Sequence, residues 1–144
     1  MTLLRAISIL LLIFFSTFNP LRADEVVLVV HKQNPVSSLK LEEIRKIFLG
    51  KKSFWGNGES IDVFLQGKSE IHASFVSKNL RKSPRQFDMY WKHILFSGAG
   101  IPPREVASNN EMLKAIGSNT NAIGYISNDF INEQIKSVVI MREE

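Results

Sequence analysis

The stretch that most constrains the fold is EVVLVVH, at residues 25–31. Its apolar residues follow one another without interruption, and most of them are the β-branched residue valine. A strand with one solvated face alternates apolar and polar residues, whereas a continuous run is typical of a strand buried on both faces. The run therefore predicts a sheet that is covered by helices.

The rest of the chain alternates between helical and extended patterns. Apolar residues at helical spacing predict four helices, between Lys40 and Gly50, from Ser69 to about Leu80, between Ser83 and Gly98, and between Ser108 and Gly117. The first of these helices lacks a good capping residue, because it follows a lysine. Further strands are predicted over residues 61–65, 122–126 and 138–141. Strands that alternate with helices indicate an α/β layer fold with a mixed β-sheet flanked by helices.

The N-terminus has the pattern of a secretion signal. One basic residue, Arg5, precedes an apolar run over residues 6–18, and Ala23 offers a small residue for cleavage. We expect residues 1–23 to be the signal and residues 24–144 to be one domain, located in the periplasm. The alternative is an uncleaved anchor, but the run is shorter than the roughly 20 residues that a membrane span needs.

Composition and charge argue against several classes of protein. The chain has no cysteine, which excludes disulfides, thiolate chemistry and lipid attachment through cysteine. Removing residues 1–23 takes away two basic residues, Arg5 and Arg22, and no acidic one, so the net charge falls from +4 to +2. The basic residues near position 80 read as a solvated helix end, so no nucleic-acid partner is expected.

The segment Gly67-Lys68-Ser69 joins a predicted strand to a predicted helix. Helix N-termini carry unpaired N–H groups and a partial positive charge, so this segment could hold an anion with the help of Lys68 and the Ser69 hydroxyl. The alternative is that Ser69 only caps the helix, and Glu70 in the first turn favours that view because it would repel an anion. Position 62 is an aspartate, so the upstream glycine of a nucleotide P-loop is missing.

Other chemistry-bearing residues give weaker signals. The three histidines have no metal-ligand spacing, no Gly-x-Ser-x-Gly motif is present, and we expect neither a metal, a cofactor nor an enzyme activity. Phe87, Trp91 and Phe96 lie on the third helix and are assigned to the core. Trp55 lies among glycine and asparagine in a turn, so we expect it to be partly exposed and to face a ligand or partner.

Three segments together suggest a family. Residues 41–51 (LEEIRKIFLGK) followed by Trp55, residues 90–103 with YW, F-x-G and PP, and residues 122–126 (AIGYI) resemble, in order, segments of the periplasmic phosphate-binding proteins of ABC importers. The resemblance covers most of residues 26–126. It implies one lobe of the type II periplasmic-binding-protein fold, a short branch of that superfamily, and no enzymatic activity.

The resemblance also implies a site, with departures. The family's anion loop reads Arg-x-Asp-Gly-Ser-Gly-Thr. In this chain the serine is kept as Ser69. Leu65 stands in place of the arginine and Gly67 in place of the aspartate, while Glu70 replaces the second glycine and Ile71 the threonine. The implied contact set for a phosphate-like anion is Lys68, Ser69, and the N–H groups of Glu70 and Ile71, with Trp55 at the rim.

A second interpretation belongs to another class of protein. The domain could have kept the fold, lost the ligand and become an interaction or sensor module. Its partner would be a membrane permease, a sensor protein or another copy of itself. The contact would then use exposed apolar groups near Trp55 and residues 101–103 (IPP).

Overall fold

The structure, a computed structural model, describes residues 25–143. The predicted signal over residues 1–23 lies outside the described residues. Within them the chain forms strands β1 to β7 and helices α1 to α4, in the order β1 (Val26–His31), β2 (Ser38–Lys40), α1 (Leu41–Phe48), β3 (Asp62–Gln66), α2 (Glu70–Asn79), α3 (Pro84–Phe96), β4 (Arg104–Val106), α4 (Asn109–Gly117), β5 (Ala122–Ser127), a 3₁₀ turn (Asn128–Phe130), β6 (Ile135–Ser137) and β7 (Val139–Met141).

The main sheet has five strands in the order β4-β3-β5-β1-β6. β3 runs parallel to β4 and β5, whereas β1 runs antiparallel to β5 and β6. Leu28 and Val30 of β1 belong to a core cluster that also holds residues of α1, α2 and α3, and Val29 belongs to a second cluster with Met112 and Ile116 of α4. β1 is therefore buried on both faces, as its valine-rich sequence predicts.

The C-terminal strand prediction is only partly correct. Residues 138–141 were expected to form one strand, but the chain passes between two sheets at Val138. Residues 135–137 pair with β1, and the Val138 N–H donates to Leu28 O at 2.8 Å. The Val139 N–H then donates to Ser37 O at 3.0 Å, and β7 pairs in parallel with β2 as a separate two-stranded sheet. Residues 138–141 look like one strand in the sequence because Val138, beside β1, and residues 139–141, beside β2, are all apolar and extended.

The serine caps predicted at three helix N-termini are confirmed, whereas Gly117, expected to follow α4, is its last residue. The hydroxyls of Ser69, Ser83 and Ser108 each accept a hydrogen bond from the backbone N–H three residues later, at 3.0 to 3.1 Å. Lys40 gives no side-chain cap to α1. Instead the Glu43 carboxylate accepts from the Lys40 N–H at 3.2 Å, and this hydrogen bond is the largest cause that holds the pKa of Glu43 below its usual value.

Candidate functional site

The candidate site lies at one edge of the main sheet. The parallel strands β3, β4 and β5 end there, and α2 and α4 begin there. In open α/β sheets this edge is where ligands usually bind, because helix N-termini and strand ends converge on it. The structure therefore places Lys68, Ser69, Glu70 and Ile71 at an edge suited to a ligand.

Ser69 forms the turn between β3 and α2. Its hydroxyl accepts from the His72 N–H at 3.0 Å and donates to the backbone carbonyl of Gln66, also at 3.0 Å. Lys68 takes a left-handed conformation, with φ at +43°, and its side chain is exposed. The hydroxyl is thus held by the protein itself, so its confirmed role is to cap α2.

The backbone of this turn presents free donors. Within residues 25–143, the N–H groups of Lys68, Ser69, Glu70 and Ile71 have no hydrogen-bond acceptor. The preceding N–H, that of Gly67, is already used, because it donates to Val106 O at 3.1 Å. Consecutive free N–H groups at a helix start are the donors that oxyanions accept from in proteins.

Side-chain charge at the turn is mixed. Glu70 is exposed in the first turn of α2. Glu105 of β4 lies over the turn, because a Cβ placed on Gly67 would come within 2.7 Å of Glu105 Oε2. Lys68 also lines a shallow depression of about 290 Å³ together with Lys92, Asp88 and Glu105. An anion here would gain from the lysines and from the N–H groups, and it would be opposed by the carboxylates.

The position at which the sequence resemblance implies a clamping arginine is filled by a core residue. Leu65 is 4% exposed and belongs to the cluster formed by β1, β5 and helices α1 to α3. A guanidinium has no place in that environment, because a buried charge without a partner is costly. The charged clamp implied by the family pattern is therefore absent at this position.

A buried polar network supports the turn from behind. The Gln66 N–H donates to the Tyr125 hydroxyl at 2.9 Å, and that hydroxyl is also hydrogen-bonded to Nδ1 of His72. The Gln66 side-chain amide donates to Oδ1 of Asn109, which also accepts from the Ser127 N–H. The network joins β3, α2, α4 and β5, so it fixes the ends of these elements relative to one another.

Burial sets the ionisation of two groups in this network. Burial lowers the pKa of His72, although the nearby carboxylates of Asp88 and Glu105 oppose the shift. Burial is also the main reason that the pKa of Tyr125 is raised above its ordinary value. Sequence reasoning missed this network, because nothing local to Gln66, Asn109 or Tyr125 indicates that they meet.

The expectation that Trp55 is partly exposed at the rim of the site is wrong. Its side chain is 6% exposed, and its indole N–H donates to Asn121 O at 3.1 Å. Asn121 precedes β5, whereas Ser69 follows the other end of the parallel strand β3, so Trp55 lies at the opposite edge of the sheet. The turn folds back through the Trp55 N–H, which donates to Glu59 O at 2.8 Å, and this carries the ring into the core.

The core assignment on α3 is partly wrong as well. Phe87 and Trp91 are buried, but Phe96 at the end of the helix is 86% exposed. Ile101 in the following loop is 84% exposed. These side chains leave an apolar surface where α3 runs into the connection to β4.

Among residues 25–143, no cluster of three or more histidine, aspartate and glutamate side chains is arranged to hold a metal ion. In the same part of the chain, no helix is both long and apolar enough to cross a membrane.

The fold is similar to that of phosphate-binding proteins. An ABC-type phosphate transport receptor from Vibrio cholerae matches 81% of this chain with 23% identity and a TM-score of 0.64, and 46% of its own chain is covered. A putative phosphate ABC transporter substrate-binding protein from Clostridium perfringens, solved with bound phosphate, has 22% identity and a TM-score of 0.64. The match covers 81% of this chain and 45% of that protein. PstS from Borrelia burgdorferi has 14% identity and a TM-score of 0.61, and the match covers 81% of this chain and 47% of PstS.

These similarities show the fold, and they concern part of each neighbour. The chain spans less than half the length of the solved structures it matches. The expectation of a single α/β lobe of the periplasmic-binding-protein type, with a mixed sheet flanked by helices, is confirmed. No family model matches the sequence, and no curated protein matches it.

Proposed function

We propose that this protein is a solute-binding domain of the periplasm that holds a small oxyanion, such as phosphate, at the N-terminus of α2. The observation that carries the proposal is the row of free N–H groups from Lys68 to Ile71, where the parallel strands end and α2 begins. Neighbours of the same fold support it, because one is an ABC-type phosphate transport receptor and another is a putative phosphate ABC transporter substrate-binding protein with bound phosphate. Delivery to a membrane permease is the corresponding role, and no catalytic step is involved.

The chemistry of the turn predicts weak binding. Backbone donors and one lysine replace the bidentate clamp that an arginine would provide, and a lysine supplies charge without the fixed fork. Glu70 and Glu105 lower the affinity further by repulsion. We therefore expect a dissociation constant well above the nanomolar range.

The test is isothermal titration of the purified protein with phosphate, and then with sulfate, at two salt concentrations. Lys68→Gln should weaken binding roughly five- to twentyfold through loss of a charge-assisted contact. Glu70→Gln should strengthen it about two- to fivefold by removing repulsion. Lys78→Gln is the matched control, because Lys78 is an exposed lysine in the last turn of the same helix.

Ser69→Ala is a less specific probe. It removes the cap of α2 and should cost about 1 kcal/mol of stability whether or not an anion binds. Absence of heat at millimolar phosphate, or equal affinity in the wild type and both loop variants, would contradict the proposed site and leave Ser69 as a cap only.

A second function is favoured by a different observation. Phe96 and Ile101 are exposed large apolar groups beside the Pro102-Pro103 connection, and such surfaces are typical of protein contacts. The domain would then be an interaction or sensor module for a membrane protein. A partner that co-purifies with the wild type and with Lys68→Gln, but not with Phe96→Ser or Ile101→Ser, would favour this role.

A further inference from the structure

Three arginines from distant parts of the sequence meet at the C-terminal end of α2. Arg45 of α1 donates through Nε to the backbone carbonyl of Asn79 at 2.8 Å. Arg142, beyond β7, donates through Nη2 to Oδ1 of Asn79 at 2.9 Å. Arg81 follows two residues after Asn79 and has a left-handed backbone, with φ at +53°.

Asn79 is a fixed anchor for this cluster. Its side chain is 6% exposed, and its Nδ2 group donates to Phe75 O at 3.1 Å. The amide orientation is therefore set from within α2, and its oxygen remains for Arg142. Two of the guanidinium groups are thus held in place by one buried residue.

The carboxylates around this cluster balance its charge only in part, because Glu42, Glu43 and Glu143 stand against five basic residues, Lys40, Arg45, Lys46, Arg81 and Arg142. Among residues 25–143 the ion pairs are Lys46 with Glu42 at 3.8 Å and Lys52 with Glu43 at 3.2 Å, and neither involves an arginine. The pKa of Arg45 is lowered first by burial and then by repulsion from Arg81 and Arg142. Glu42 opposes this shift. Arginine stays charged at physiological pH, so the shift reflects the cost of burying Arg45 and, in second place, the cost of holding these charges together.

The arginines line a trough large enough for a ligand. Its volume is about 460 Å³, and its walls also hold Lys40, Lys46 and Met141 together with the carboxylates of Glu42, Glu43 and Glu143. Small-molecule sites typically measure about 300 to 1,000 Å³. An adjoining depression of about 380 Å³ shares Arg45, Arg81, Lys46 and Glu42 with it and adds Lys51.

We propose that this arginine trough, formed by Arg45, Arg81 and Arg142, binds an oxyanion that has two phosphate groups, each with a negative charge. Guanidinium groups present planar forks of N–H donors that match phosphate oxygens in pairs. Arg45 and Arg142 each spend one donor group on Asn79, and Arg81 spends none on the described residues. The remaining donors are available to a ligand, whose charge would relieve the repulsion among the arginines.

The trough is separate from the site at Lys68. That site lies at the N-terminus of α2, and the trough lies at its C-terminus, which is about 15 Å away for a ten-residue helix. The simpler role of Arg45 and Arg142 is to satisfy carbonyl groups at the end of α2. Arg81 has no such role, so its substitution tests ligand binding most directly.

The experiment is isothermal titration of the purified protein with pyrophosphate at constant ionic strength. Arg81→Gln and Arg142→Gln should each weaken binding at least tenfold. Arg85→Gln should stay within twofold of the wild type, because Arg85 is an exposed arginine on α3 that does not line the trough. Thermal unfolding of each variant without ligand shows whether its fold is intact.

The source of the phosphate groups is tested with vesicles. Vesicles of cardiolipin, which has two phosphate groups, and phosphatidylcholine that retain the wild type but not Arg81→Gln would identify a lipid headgroup. Arginine-dependent pyrophosphate binding without vesicle binding would identify a soluble oxyanion. If neither probe binds, or if all variants bind both probes equally, the proposal is wrong.

The same variants separate the two sites. Lys68→Gln should leave pyrophosphate binding at the trough unchanged, and Arg81→Gln should leave the affinity for phosphate at the α2 N-terminus unchanged. Loss of both activities in both variants would contradict the assignment of two sites.

Discussion

The hydroxyl of Tyr125 lies 2.5 Å from Nδ1 of His72, and the same hydroxyl accepts the backbone N–H of Gln66. The Gln66 N–H can only donate, and among the described residues Nδ1 of His72 is the one other partner of the hydroxyl, so we assign the Tyr125 hydrogen to that nitrogen. Nδ1 of His72 then acts as an acceptor, which requires the neutral imidazole with its proton on Nε2. The neutral form is also the one that burial favours.

We predict that this pair makes stability depend on pH below about 6.5. The pKa of His72 is lowered in the folded state, so the unfolded chain binds the proton more tightly. The contribution is fully present above the unfolded pKa of about 6.5, and it is lost as the pH falls from there through the folded value. The free energy of unfolding by urea should therefore be smaller at pH 5.5 than at pH 7.5, by at most about 1.4 kcal/mol in total.

The control for this prediction is a second histidine. His93 on α3 is exposed, so His93→Gln should keep the wild-type pH dependence. His72→Gln should flatten it, whatever its effect on stability at pH 7.5. Equal slopes in the wild type and in His72→Gln would show that the imidazole is not held in its neutral form.

Tyr125→Phe should destabilise the fold by about 1–3 kcal/mol at neutral pH. The substitution keeps the ring, which stacks on Phe75 at a centroid distance of 4.2 Å, and it removes the hydroxyl. The Gln66 N–H and His72 Nδ1 then lose their partner in a buried position, which costs a full desolvation penalty.

Tyr90→Phe offers a matched comparison for that measurement. The Tyr90 hydroxyl donates to Leu49 O at 2.6 Å, but its residue is only half-buried, so water can replace the lost bond. We expect a loss below about 1 kcal/mol in urea unfolding. A loss for Tyr90→Phe as large as that for Tyr125→Phe would contradict the importance of burial in the network.

The parts of the fold that sequence predicts well are set by neighbouring residues. The β1 run has its pattern within itself, and Ser83 and Ser108 cap helices through N–H groups three residues away. β2 and β4 were missed because each is short and gains its pairing from a distant strand, β7 and β3. Their extended conformation depends on contacts that no local pattern records.

The same distinction applies to the candidate site. Lys68 and Ser69 could be placed at a helix start because the cap is local. Trp55 was misplaced because its burial depends on the carbonyl of Asn121, far along the chain. The arginine trough has no local signal either, since Arg45 and Arg142 come together only through Asn79.

The two tryptophans allow a direct measure of one buried hydrogen bond. Trp55 and Trp91 are 6% and 7% exposed, but only Trp55 has a partner for its indole N–H among the described residues. Each substitution by phenylalanine removes part of a buried ring. We expect Trp55→Phe to cost about 1 kcal/mol more than Trp91→Phe, because it also leaves Asn121 O without its donor.

Urea unfolding of both variants tests this comparison, with the slope of the transition checked for constancy. Equal losses would mean that the indole of Trp91 has a partner in solution that compensates for the absent protein contact.

Gly50 lies just after the end of α1, in the position that the sequence assigns to a C-terminal cap. Its φ is +73°, and a Cβ there would come within 2.6 Å of Cη2 of Trp91. Gly50→Ala should therefore combine left-handed strain, of about 1–2 kcal/mol, with displacement of a buried indole. Gly58 has φ at +86° and open space around it, so Gly58→Ala should show the strain alone. Thermal unfolding should give a loss for Gly50→Ala at least about 1 kcal/mol larger than that for Gly58→Ala. If the two losses are equal, the Trp91 ring does not pack against the end of α1 as the structure shows.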